Sequence, residues 1–89
     1  MLRWKKTEAG NYYRNVSGTS FHATLTYIAT SWMLCIYDSD NAIYSTFFTE
    51  GDIEQIKAKA ILEVRKYFAN EMRKWSDALS NWNWSEEEF

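Results

Sequence analysis

Residues 20–37 read SFHATLTYIATSWMLCIY, two runs of β-branched, aromatic and aliphatic residues on either side of Thr30-Ser31. Such residues fit a pleated, half-buried surface. A tight turn at Thr30-Ser31 makes the two runs a β-hairpin. If Ala29 faces Trp32, then Tyr27 faces Leu34 and Leu25 faces Ile36. Side chains alternate between faces with period two. One face then collects Phe21, Ala23, Leu25, Tyr27, Trp32, Leu34 and Ile36, and the other His22, Thr24, Thr26, Ile28, Met33, Cys35 and Tyr37. The first set is the more apolar and is the expected core face. The same alternation across the polar loop Asp38-Ser39-Asp40-Asn41 adds Ile43 and Phe47 to the core face. It leaves Tyr44, Thr46 and Phe48 pointing the other way.

Working outward, turn signals punctuate the rest of the first half. Thr7-Glu8-Ala9-Gly10-Asn11 separates a short strand near Leu2 to Lys6 from one at Tyr12 to Val16, and Ser17-Gly18-Thr19 is the next turn. Further strands are expected from Ser20 to Ala29, Trp32 to Tyr37 and Ala42 to Phe48. Residues 1–48 thus read as an antiparallel β-meander of four to five strands.

At Thr49 the apolar period changes. Thr49-Glu50-Gly51-Asp52 is the expected helix start, with Thr49 as cap and Asp52 in the acidic position of a capping box. The stripe Ile53, Ile56, Ala60, Ile61, Val64, Phe68, Met72, Trp75, Leu79, Trp82 then follows helical spacing. The fold class is α+β: an antiparallel meander packed on one long C-terminal helix over 49–84, with an acidic tail at 85–89. From Asp52 to Trp84 a helix spans about 50 Å, whereas a nine-residue strand spans about 30 Å. Either the helix breaks near 70–77, at Asn70 or Ser76, and folds back, or its end projects past the sheet. Burying each large apolar group there is worth roughly 1.5–3 kcal/mol. The expectation is that a partner, or a second copy in a homodimer, covers Met72, Trp75, Leu79, Trp82 and Trp84.

The chain has 89 residues, enough for one domain, with one cysteine (Cys35) and one histidine (His22). That excludes an internal disulfide and leaves too few ligands for a Cys/His zinc site. The formal charge of −2 names no partner, but its distribution is uneven. Between 57 and 74, Lys57, Lys59, Arg65, Lys66, Arg73 and Lys74 outweigh Glu63 and Glu71 for a net of +4, while Asp77, Glu86, Glu87 and Glu88 give 75–89 a net of −4. This is either a solvated helix face or the basis for head-to-tail pairing or docking, with Lys59, Lys66, Arg73 and Lys74 as candidate electrostatic contacts.

Chemistry finds little to stand on. Cys35 faces Thr26 in the expected register, which sets His22 about 13 Å away along the strand, and a working dyad needs about 3 Å. Asp38-Ser39-Asp40-Asn41 resembles the first half of a calcium loop but has Ile43 where that loop needs glycine. Gly10, Gly18 and Gly51 are isolated, so no phosphate loop is present. No catalytic residue, metal ligand, cofactor or small-molecule site is read, and the expectation is a non-enzymatic protein. Exposed sheet aromatics can stack on bases, but phosphates also need basic residues. Only Arg3, Lys5, Lys6 and Arg14 come from the sheet half. A nucleic-acid-binding accessory role is therefore the alternative to protein binding. The start, Met1 to Lys6, lacks a signal peptide's apolar run, and no stretch approaches the ~20 apolar residues that span a bilayer. With one unpaired thiol, a reducing cytoplasm is expected.

Trp4, Tyr13-Arg14-Asn15 with Gly18, the Trp32 to Ile36 strand, and Phe47-Phe48-Thr49 leading into Ile53 to Ala60 together resemble a loose group of short bacteriophage and mobile-element proteins. The resemblance covers roughly residues 1–65. That group's helix is usually short, so the extension from Asn70 to Phe89 departs from it. The resemblance implies a small accessory protein of the host-cell cytoplasm, one that binds and inhibits a host enzyme such as a defence nuclease. It carries over no catalytic residues. A similar sheet-plus-helix layout occurs in integrase-arm and plant AP2-type DNA-binding domains, which use sheet-face arginines and lysines that this chain mostly lacks.

Overall fold

In the computed structural model, which describes residues 4–81, strands β1 (Lys5–Lys6), β2 (Tyr12–Asn15), β3 (Phe21–Ile28), β4 (Ser31–Asp38) and β5 (Asn41–Phe48) precede a single helix α1 (Ile53–Asn81). The strands form one antiparallel sheet in chain order. This is the expected α+β meander and helix. The later strands differ from the reading by a residue or so at their ends; the first, read from Leu2, is Lys5–Lys6, with Leu2 and Arg3 outside the described residues.

The central hairpin turns one residue earlier than its sequence suggests. Ile28 pairs with Ser31, so Ala29-Thr30 is the loop, and Leu25 faces Leu34 rather than Ile36. The register moves by two positions, and an even shift keeps every side chain on its face. Ala29 lies at φ 56°, and Ser39, in the equivalent place of the next hairpin, at φ 53°. A positive φ at the first loop residue suits the tight turns that match strand twist, and it ordinarily selects glycine. The sheet therefore holds two L-residues in a backbone region that costs them energy.

The last strand departs from the simple alternation. Ile36 pairs with Tyr44, but Tyr37 pairs with Ala42, so Ile43 is an extra residue, a β-bulge. A one-residue slip turns the rest of the strand over. Tyr44, Thr46 and Phe48 consequently face the helix, against expectation, and Ile43 and Phe47 face away, with Phe47 54% exposed. The bulge also twists the outer edge of β5, a device that discourages edge-to-edge pairing.

The core lies between the helix and one sheet face. Ala23, Leu25 and Leu34 pack against Ile56 and Ala60, all buried, with Trp4, Tyr12, Trp32, Phe48, Ile53 and Val64 around them. Phe21 meets Phe68 edge-on at 5.0 Å, and Tyr44 meets Tyr67 at 5.0 Å. Tyr44 Oη donates to Glu63 Oε2 at 3.0 Å, tying β5 to the helix. This bond, first, and then partial burial hold the Tyr44 phenol above its ordinary value.

The helix start is a reciprocal capping box one turn later than Thr49. Asp52 Oδ1 accepts from the Gln55 backbone N–H at 3.0 Å, and Gln55 Oε1 accepts from the Asp52 N–H at 2.9 Å. Gly51 precedes it at φ 110°, where an added Cβ would lie 3.0 Å from Gln55 Oε1. Both the turn and the cap thus require glycine there.

Candidate interaction surface

The helix is unbroken through 70–77 and does not fold back. Its 29 residues span about 43 Å, against about 27 Å for an eight-residue strand. The described residues after Tyr67 and Phe68 are exposed apart from Glu71, which is half-buried. Of the residues expected to mediate association, Met72 is 72%, Trp75 75% and Leu79 62% exposed. Trp82 and Trp84 lie outside the described residues. Helical spacing aligns Phe68, Met72, Trp75 and Leu79 along one stripe, which continues the line of Ile61.

At its inner end this stripe runs into a groove of about 450 Å³ between the helix and the β1–β2 side of the sheet. Trp4, Val16, Ala23, Ile61, Val64, Phe68 and Met72 give it an apolar lining. Arg14 and Arg65 supply its cationic groups. Arg14 reaches the helix side because it pairs with Ala23 across β2 and β3. Among the described residues neither arginine forms a salt bridge. Trp4 Nε1, in the groove wall, is buried with no hydrogen-bond partner among the described residues. Sequence reading missed this groove, because nothing in the order of residues says that Arg14 and Arg65, 51 positions apart, share a cleft.

The four expected electrostatic residues are arranged differently. Lys59, Lys66 and Arg73 recur every seven positions and line the helix side away from the apolar stripe. Each is already engaged: Lys59 Nζ donates to the Glu50 carbonyl at 3.0 Å, Lys66 Nζ lies 3.9 Å from Glu63, and Arg73 donates to Asn70 Oδ1 at 3.1 Å. Lys74 Nζ donates to Glu71 Oε2 at 2.9 Å, and that bond raises its pKa. Exposed pairs of this kind contribute little to stability; among the described residues Arg14 and Arg65, like Lys5 and Lys6, form no salt bridge.

The opposite sheet face has no helix on it. Tyr13, Thr24, Thr26, Met33, Tyr37 and Phe47 lie there, with Lys5 beside Tyr13 and His22 stacked on Tyr37 at 4.9 Å. Lys5 is the one basic residue that the register of β1 and β2 places on this face, since Lys6 pairs with Tyr12 on the helix side. Arg3 lies outside the described residues. The two-residue register change sets Cys35 opposite Thr24 and His22 opposite Tyr37, so these two are diagonal neighbours about 7–8 Å apart rather than about 13 Å. Cys35 is buried and makes no hydrogen bond to His22. The Tyr37 phenol is raised above its ordinary value, chiefly by the neighbouring Cys35 thiol.

Asp38 accepts a hydrogen bond from Ser20 Oγ at the start of the Ser39-Asp40 turn. Among the described residues no cluster of three or more His, Cys, Asp or Glu side chains could hold a metal ion, and no helix is long and apolar enough to cross a membrane. No family model, curated protein or solved structure matches this chain, so its function has to be argued from the stripe, the groove and the open sheet face.

Proposed function

We propose that the chain is a non-enzymatic protein-binding module whose working surface is the stripe Phe68, Met72, Trp75 and Leu79 together with the adjoining groove. The exposure of Met72, Trp75 and Leu79 on a regular helix beyond the sheet carries this reading. Isolated apolar side chains on a surface need no explanation, but an aligned run of them does. Tryptophan is also the residue type most enriched at interface hot spots. The resemblance to phage accessory proteins adds a host enzyme, held in an inhibitory complex, as one partner class beside a second copy of the chain.

Affinity capture from host lysate with the tagged chain, in the presence of nuclease, tests the reading. The expected result is a protein retained by the wild type and lost with Trp75→Ala or Leu79→Ala. Retention that is indifferent to both substitutions would remove the stripe from the account.

Nucleic-acid binding is the second reading, favoured by the in-line Lys59, Lys66 and Arg73 and by Arg14 and Arg65, which form no salt bridge among the described residues. Its signature is an affinity for duplex or single strands that falls steeply with salt. The near absence of basic residues on the open aromatic sheet face weighs against it.

A further inference from the structure

We infer that the occupant of the stripe and groove is a second copy of this chain, its helix laid antiparallel to the first. This rests on the protein-binding reading and narrows it: the stripe is taken up by a second copy rather than by a host protein. Phe68, Met72, Trp75 and Leu79 are spaced four, three and four, the a/d rhythm of a two-helix seam. The rhythm extends in the sequence to Arg65 on one side and to Trp82 and Glu86 on the other.

Charge fixes the direction. Residues 57–74 carry a net of +4 and residues 75–89 a net of −4. A parallel pair sets like against like. An antiparallel pair sets each copy's acidic segment against the other's basic one. With Trp75 of each copy against Leu79 of the other, the antiparallel direction sends the sequence beyond Asn81, which lies outside the described residues and is acidic at Glu86-Glu87-Glu88, toward the Phe68–Arg65 end of the other copy's seam. There the groove opens, and there Arg14 and Arg65 stand without salt-bridge partners among the described residues. The groove thus receives the acidic segment of the second copy. Antiparallel helix dipoles add a small favourable term.

Sedimentation equilibrium of the full chain over a wide concentration range tests this, using three variants. Trp75→Glu changes an exposed position and leaves the fold alone. The second variant carries Glu86→Lys, Glu87→Lys and Glu88→Lys. The third carries Arg14→Glu and Arg65→Glu. Wild type is expected to dimerise, and Trp75→Glu to be monomeric. Each charge variant alone is expected to dimerise about tenfold or more weakly. Mixed in equal amounts, the two charge variants are expected to recover dimers, because both ends of the seam again pair opposite charges. A wild type monomeric at every concentration would overturn the inference, while the capture experiment with Trp75→Ala would still judge the broader reading. Charge variants that each dimerise as well as wild type, with no gain on mixing, would overturn the antiparallel arrangement.

Discussion

The two halves of α1 have nearly the same local chemistry and opposite fates. From Ile53 to Phe68 the apolar positions meet the sheet apart from the exposed Leu62, and Ile56 and Ala60 are buried. From Ala69 to Asn81 they meet water, although Met72 and Leu79 match the largest fully buried core side chains in size and Trp75 exceeds them. Both halves carry i,i+3 ion pairs, Lys57 with Glu54 in the first and Lys74 with Glu71 in the second. Local helix-forming chemistry therefore does not separate them. The length of the sheet does: it reaches Phe68, and the stripe runs on past it. The first half stabilises the fold, and the second is held in helical form with its apolar side chains exposed.

The sharpest way to break this contrast is to truncate a large side chain in the covered region and one on the projecting half. Leu34→Ala or Ile56→Ala in the covered region is expected to cost about 2–5 kcal/mol, in a domain whose whole stability is about 5–15 kcal/mol. Trp75→Ala is expected to change the stability of the monomer by no more than about 0.5 kcal/mol. Urea melts at low protein concentration measure both. A comparable loss from Trp75→Ala would mean that the helix end is packed in the monomer.

Smaller effects test how the helix is anchored. Gly51→Ala introduces a Cβ at positive φ and against Gln55, and is expected to destabilise by about 1–3 kcal/mol. Asp52→Ala removes the capping box and is expected to cost about 1 kcal/mol, whereas Thr49→Ala is expected to cost almost nothing. Ala29→Gly should act in the opposite direction. It relieves the positive φ in the β3–β4 turn and is expected to stabilise by up to about 1 kcal/mol. Thermal melts rank all four.

The smallest expected effect is a pH dependence. The Tyr44 pKa is raised in the folded chain by its bond to Glu63. The stabilisation this contributes is complete below pH 10, the phenol's ordinary value, and is lost as pH rises through the higher folded value. Tyr44→Phe should flatten the alkaline limb of the stability profile. The Lys74 pKa is also raised, but that group stands fully in solvent on the projecting half. Lys74→Met is expected to leave the profile unchanged.

The same contrast shows what the sequence could reveal. The strands, the helix and the faces of β3 and β4 follow from residue type and period, because side-chain alternation survives an even register shift. The faces of β5 did not follow. A single extra residue at Ile43 reverses Tyr44, Thr46, Phe47 and Phe48, and no proline or glycine marks the bulge. The helix cap was off by three residues because Thr49 and Asp52 are both good caps, and only the Asp52–Gln55 exchange decides between them. The apolar excess of Met72, Trp75 and Leu79 was legible from length alone. The groove with Arg14 and Arg65 was not, because it depends on how the sheet and helix meet.

Hydrogen exchange along α1, measured at low and at high protein concentration, tests the central claim most directly. At low concentration the amides of Ile56 to Tyr67 should be protected to the level of the sheet, and those of Met72 to Asn81 should exchange much faster. Raising the concentration should slow exchange in the second group alone. Protection of Met72 to Asn81 equal to that of the first half at the lowest concentration, and unmoved by raising it, would contradict the division of the helix into a folding half and a binding half.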